Sequence, residues 1–171
     1  MQKPPPSSLV FKSLFAQKAW ANGELFSVLA SVDTTANAAE IHSAVRVLNH
    51  VFVVDSIFQA HLKGEAHSFE GTNTKETPTP QSLWPDVQVL DSWFQSYVDS
   101  LSPKAFHEQL VFRFTDGDLG SMSREEMLMH VITHGGYHRG AAGQVLRGAG
   151  IAPPRDLYTR FLHLNEPSRR G

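Results

Sequence analysis

The sequence predicts an all-α fold, an antiparallel four-helix bundle, and three observations carry that expectation. Apolar residues recur at helical spacing in four separate stretches. One long polar connection divides the second stretch from the third, and a single short strand-like segment interrupts the pattern before the fourth. At 171 residues the chain is one domain, 1–171, with room for a proper hydrophobic core.

The first helix is expected over residues 8–31, where Val10, Leu14, Ala21, Leu25, Val28 and Leu29 share a side and Phe11, Phe15 and Trp20 widen the stripe. Thr34 and Thr35 can cap a second helix over residues 36–63, whose apolar line is Ile41, Val45, Leu48, Phe52 and Leu62. Gly64 is a natural stop. Residues 65–80 are polar and turn-rich, with Gly71, Pro78 and Pro80, and predict a surface connection. A third helix follows from Gln81 or Pro85 to Leu101, burying Trp84, Val87, Leu90, Trp93, Phe94 and Val98, and Pro103 ends it.

The period then changes. Leu110, Phe112 and Phe114 alternate with Val111, Arg113 and Thr115, a strand pattern, and Asp116, Gly117 and Asp118 supply a turn, so a short hairpin-like excursion is expected. Ser123 stands three residues before Glu126, the spacing at which each side chain satisfies the other's backbone N–H. The fourth helix starts there and runs to Arg147, with Gly148 beyond its end; a short last helix is expected over residues 156–163, after Pro153 and Pro154. Residues 1–7 and 165–171 can bury nothing and are expected to fray.

Composition excludes several functions. The formal charge of −2 is too balanced for a polyanion binder, so nucleic acid is not an expected partner. No apolar run approaches the roughly 18 residues of a membrane span, and the start Lys3, Pro4, Pro5, Pro6, Ser7, Ser8 has no apolar signal core, so a cytoplasmic location is expected. With no cysteine there is no disulfide, thiolate zinc site or cysteine nucleophile. Metal or acid/base chemistry falls on nine histidines and the carboxylates.

His130, His134 and His138 step by four residues, so they form a row on one side of the fourth helix, shared with Met127, Val131, Ala141, Ala142 and Val145. His134 and His138 therefore point toward the core, where an imidazole must be hydrogen-bonded or metal-bound. Two imidazoles one turn apart can chelate one ion, although the same pair can simply be packed and hydrogen-bonded. The motif is not the H-E-x-x-H of zinc proteases, because Gly135 stands where the general-base Glu would be. Gly135, Gly136, Gly140 and Gly143 each cost this helix about 1 kcal/mol against alanine, which close helix packing or a closely approaching ligand could compensate. A third ligand must come from another helix, and His50 is the best placed; His61 lies about 16 Å further along the axis and cannot share the ion. His42, His67, His107 and His163 are expected to be solvated.

These residues resemble the DinB/YfiT-like family of helix-bundle metalloproteins. The resemblance covers most of the chain: Trp20-Ala21-Asn22, Leu48-Asn49-His50-Val51 with Asp55, the stretch from His130 through His134-Gly135-Gly136-Tyr137-His138-Arg139-Gly140, and Gly150-Ile151-Ala152-Pro153-Pro154 with Asp156. It implies a divalent metal held by His50, His134 and His138, His130 as a neighbouring or packing residue, and a homodimer. Tyr137 stands where the family often has a second histidine, and Ala141 where it commonly has Gln.

Three neutral imidazoles leave a coordination position open, the arrangement of a catalytic site. Imidazole suits zinc or nickel, with iron or manganese further options. A bound metal lowers the pKa of water or of an incoming thiol. The resemblance implies thiol-dependent transferases that use low-molecular-weight thiols, and hydrolysis is the other reaction such a site supports. The sequence thus predicts a metal-dependent transferase or hydrolase acting on a small molecule, with Asn49, Asp55, Tyr137 and Arg139 as neighbouring or substrate groups. The alternative is a non-catalytic, stress-associated protein whose metal is structural or sensory.

Overall fold

Helix α1 spans Pro6–Ser31 in the computed structural model, which describes residues 6–33 and 35–170. Its buried stripe steps by three and four through Phe11, Phe15, Lys18, Asn22, Leu25 and Leu29. Val10, expected inside, is 52% exposed. The apolar count misplaced the stripe because two of its members are polar.

Helix α2 spans Ala38–Lys63 and begins two residues later than expected. Asp33 is the reason: its Oδ1 accepts from the backbone N–H of Thr35 and Ala36 and holds a turn that ends at the capping residue Asn37. Thr35 is therefore not the cap, and Thr34 lies outside the described residues. At the other end Gly64 takes φ 71° and returns its N–H to the Ala60 and His61 carbonyls, as expected. By length and composition alone α2 is apolar enough to cross a membrane. Its apolar residues instead fill two buried clusters.

Helix α3 spans Pro80–Ser100. It starts at Pro80 because Thr79 and Ser82 form a capping box, and Pro85 sits early in the helix. A 3₁₀ turn, Ala105–His107, plants Phe106 in the core. Strands β1 (Gln109–Arg113) and β2 (Leu119–Ser123) pair antiparallel with Gln109 opposite Ser123, the expected hairpin. A Cβ at Gly120 would stand 2.7 Å from the rings of Phe112 and Phe114, so only glycine fits there. Helix α4, Arg124–Gly148, opens on the predicted box: Glu126 accepts from the Ser123 N–H at 2.7 Å, and Ser123 accepts from the Glu126 N–H. Helix α5 spans Tyr158–Asn165, two residues beyond its expected place. The C-terminal stretch expected to fray carries a 3₁₀ turn, Pro167–Arg169, with exposed side chains; residues 1–5 and 171 lie outside the described residues.

The four long helices pack with α1 against α3 and α2 against α4 as the closest pairs. Lys12 meets Asp99 and Phe26 stacks on Trp84, so α1 and α3 run in opposite directions. α2 and α3 run the same way: Tyr97 reaches the Leu62 carbonyl, while Leu48 and Val87 share a cluster further back. The connection over residues 64–79 must therefore return along the molecule, which explains its length. One apolar cluster centres on Phe11, Phe15, Phe58, Phe94 and Val131. The other contains Leu25, Leu29, Val45, Leu83 and Leu146. Between them lies a polar layer of Lys18, Asn22, Asp55, Asp91 and Arg139, all nearly sealed from water.

Candidate metal centre

The buried stripe of α4 runs through Leu128, Val131, Gly135, Arg139, Ala142 and Leu146. His130, His134 and His138 each stand one residue before a member of that stripe, so the row lies on its shoulder, half-buried at the seam with α2. This corrects the expectation that His134 and His138 face the core. The shoulder position keeps the rings reachable from outside while the backbone beneath them is fixed.

From α2, His50 meets that row. Its Nε2 lies 3.1 Å from His134 Nε2, its ring centroid 4.7 Å from that of His138, and the His134 and His138 rings are 4.4 Å apart. One nitrogen from each of the three lies within 4.8 Å of the others. His50 Nδ1 stands 2.6 Å from the Thr72 carbonyl oxygen. A carbonyl only accepts, so Nδ1 carries the proton and the Nε2 lone pair faces α4. Imidazole nitrogens about 2.0–2.1 Å from one ion lie roughly 3 Å apart, so the His50–His134 spacing suits two ligands of a single metal.

The protonation states suit the same use. Burial, reinforced by His138, His50, His130 and Lys18, pushes His134 down to about 3. Burial, then His50, lowers His138. Both are neutral near pH 7, the form that donates to a metal. His134 Nδ1 is buried without a hydrogen-bond partner among the described residues.

The neighbouring residues sort differently from expectation. Asn49 is buried with its amide on Asn73 Oδ1 (2.5 Å) and Thr74 Oγ1 (2.6 Å), so it anchors the connection rather than facing the imidazoles. Arg46 Nη1 donates to the Thr74 carbonyl and Asn73 Nδ2 to the Arg46 carbonyl. Residues 72–74, expected to be mere surface, are thus strapped onto α2. Asp55 belongs to the polar layer: Lys18 Nζ lies 2.9 Å from its Oδ2 and 2.6 Å from Asp91 Oδ1, and Asn22 donates to Asp91 Oδ2 at 2.7 Å. Burial opposes a charge on Lys18, but Asp55 and Asp91 outweigh it and raise its pKa. Burial lifts Asp55 to about 6 against the pull of Lys18. Its Oδ1 is a second buried atom without a partner among the described residues.

Arg139 is buried, its Nε on Asp156 Oδ2 at 2.7 Å and its Nη1 on Asn22 at 3.4 Å, so it ties α4 to α1 and to the segment after α4. Tyr137, expected beside the site, is 76% exposed and meets His138 edge-on at 5.0 Å. His130 stacks on Phe58 at 4.5 Å and on His134 at 5.2 Å, a packing role. His42, His107 and His163 are exposed as expected, whereas His67 is half-buried with its ring 5.5 Å from that of His61. Sequence reasoning missed Thr72, Lys18 and Asp91. Lys18 falls on the 11, 15, 18, 22 spacing of α1, a signal that was present but masked by its charge.

The family model described as the DinB family matches residues 6–169. The chain is 25% identical over 172 residues to Protein DinB of Bacillus subtilis (strain 168), an alignment that covers 95% of this chain and 99% of that protein. No solved structure matches.

Proposed function

The chain belongs to the DinB family, and from that premise and the imidazoles gathered between α2 and α4 we propose that it holds one divalent transition-metal ion on His50, His134 and His138 and works as a metal-dependent enzyme. The observation that carries the proposal is the His50 tautomer. With its Nδ1–H donating to the Thr72 carbonyl, its Nε2 lone pair faces two neutral imidazoles across the helix seam. The all-nitrogen donor set suits zinc or nickel first, and iron or manganese next.

Three protein ligands leave room for a substrate group. A bound divalent ion would supply Lewis acidity there, activating a water or a low-molecular-weight thiol brought from outside, since the chain has no cysteine of its own. The protein's part is to fix the donors. Thr72 orients His50, Asn49 and Asn73 hold the strap that carries Thr72, and the Phe58–His130 stack supports His134. The Tyr137 hydroxyl is at the rim beside His138, free to hydrogen-bond a small-molecule substrate. A thiol-dependent transferase or a hydrolase on a four-helix bundle is the activity favoured. The family resemblance supports a homodimer, which sedimentation checks.

Metal analysis of the purified protein tests the centre. One ion per chain is expected, with loss of binding in His50→Ala and His134→Ala. Wild type without stoichiometric metal, or unchanged binding in His134→Ala, rejects the site. If metal-loaded protein shows neither thiol conjugation nor hydrolysis over a broad substrate panel, the enzymatic part falls.

A further inference from the structure

Successive residues of a helix step by about 100°, so Gly136, Gly143 and Arg147 fall roughly opposite His134 on α4. On that side the structure has a cavity of about 430 Å³, bounded by Arg139, Gly140, Gln144, Arg147, Pro153 and Arg155. Its charges are unbalanced. Asp156 takes Arg139, and among the described residues Arg147 and Arg155 have no carboxylate partner.

Arg139 is the informative wall. The residue is 5% exposed, its Nε and Nη1 are engaged by Asp156 and Asn22, and Nη2 has no hydrogen-bond partner among the described residues. That nitrogen is not sealed in the protein. It lies 3.9 Å from where a Cβ on Gly136 would stand, and both Gly136 and Arg139 line the cavity. A guanidinium this desolvated, with unused N–H groups, favours an oxyanion in front of it.

The glycines of α4 divide on the same line. A Cβ at Gly135 would stand 3.2 Å from Arg139 Nη1, and one at Gly143 would stand 3.3 Å from Pro153 Cβ, so packing accounts for both. A Cβ at Gly140 would meet nothing within 4 Å, and one at Gly136 only that free arginine nitrogen. Helix packing therefore leaves unexplained two residues that each cost about 1 kcal/mol of helix propensity. The space before them is the cavity.

We propose that this cavity binds a small organic oxyanion, a dicarboxylate or a phosphate monoester. Its oxygens accept from Arg139 Nη2 and Arg147, and its carbon skeleton lies against the bare backbone at Gly136 and Gly140. The site is separate from the histidine centre and stands whether or not that centre holds metal.

Calorimetric titration of the full chain with succinate and with inorganic phosphate tests it. Saturable binding of at least one probe is expected, weakened roughly tenfold or more in Arg147→Gln, which removes a charge-assisted hydrogen bond, and in Gly140→Val, which fills the cavity. Binding is expected to persist in His134→Ala. Preference for succinate or for phosphate tells the two ligand classes apart. No saturable binding of either probe, binding undiminished in Arg147→Gln, or binding lost in His134→Ala overturns the proposal. Should Gly140→Val fail to fold, Arg147→Gln decides alone.

Discussion

The Thr72 carbonyl oxygen stands 2.6 Å from His50 Nδ1, so a residue of the connection between α2 and α3 sets which nitrogen of His50 faces α4. Asn73, the next residue, accepts from the Asn49 amide and donates to the Arg46 carbonyl, and so pins that connection to α2. Asn73→Ala removes both bonds without touching an imidazole. It is expected to weaken zinc or nickel affinity by roughly 10- to 100-fold, the usual cost of losing the group that orients a ligand. Competition with a chromophoric chelator measures this, and unchanged affinity would show that the strap does not position His50.

Among the described residues, Lys18 is the only cation within bonding distance of both Asp55 and Asp91, and all three are nearly sealed from water. Lys18→Met removes it and leaves two carboxylates facing each other in the core. A loss of about 3–5 kcal/mol is expected in urea unfolding. Combining it with Asp55→Asn and Asp91→Asn should recover part of that loss, because the uncompensated charge goes too. Additive losses in the triple variant would mean that packing, not charge, holds this layer.

How far the sequence exposed these features follows from what each depends on. The start of α4 was legible because Ser123 and Glu126 satisfy each other locally, and Gly64 because a left-handed residue ends a helix whatever surrounds it. The histidine cluster was legible because four-residue spacing guarantees a shared face and a third imidazole had one well-placed candidate. Lys18 and Asn22 were not, since a hydrophobic count skips polar members of a buried stripe whose partners sit on other helices. The Thr72–His50 bond joins residues 22 apart through a return path set by the parallel run of α2 and α3, which no local pattern encodes. The depth of Arg139 depends in the same way on Asp156, beyond the end of α4.

Acid should destabilise the metal-free protein. His134 sits at about 3 in the folded chain, and burial also lowers His138, His130 and His61, while an unfolded histidine titrates near about 6.5. Below that value the unfolded chain binds more protons than the folded one, so stability present above about pH 6.5 is lost as the pH falls. Asp55 acts oppositely: raised to about 6, it favours the folded state at low pH and loses that contribution as pH rises from about 4 to 6. Between about pH 6 and 7 the histidines act almost alone. Urea midpoints of metal-free protein should fall across that window, with a shallower fall in His134→Phe. A flat profile would contradict the desolvation of these rings.

His130 separates packing from ligation. Its ring stacks on Phe58 and on His134, and it is not one of the three residues whose nitrogens converge. His130→Phe preserves the stack and should keep one metal per chain, whereas His138→Ala should lose it. Loss of metal in His130→Phe with the fold intact would make His130 a ligand.

Two glycines five residues apart on α4 should respond to alanine with opposite signs. At Gly135 the new methyl would stand 3.2 Å from Arg139 Nη1 and 3.4 Å from Lys18 Cε. Neither neighbour can retreat freely, because Asp156 and Asn22 hold the arginine and Asp55 and Asp91 hold the lysine. Overpacking of this kind costs about 1–3 kcal/mol, more than the roughly 1 kcal/mol that alanine adds to helix propensity, so Gly135→Ala should lower the thermal midpoint. At Gly140 the methyl would meet nothing within 4 Å, the propensity gain is unopposed, and Gly140→Ala should raise the midpoint. The comparison uses the same substitution on one helix, so differences in the unfolded chain largely cancel and the sign reports the space in front of each residue. If both variants shift the same way, the polar layer behind Gly135 is looser than its hydrogen bonds imply.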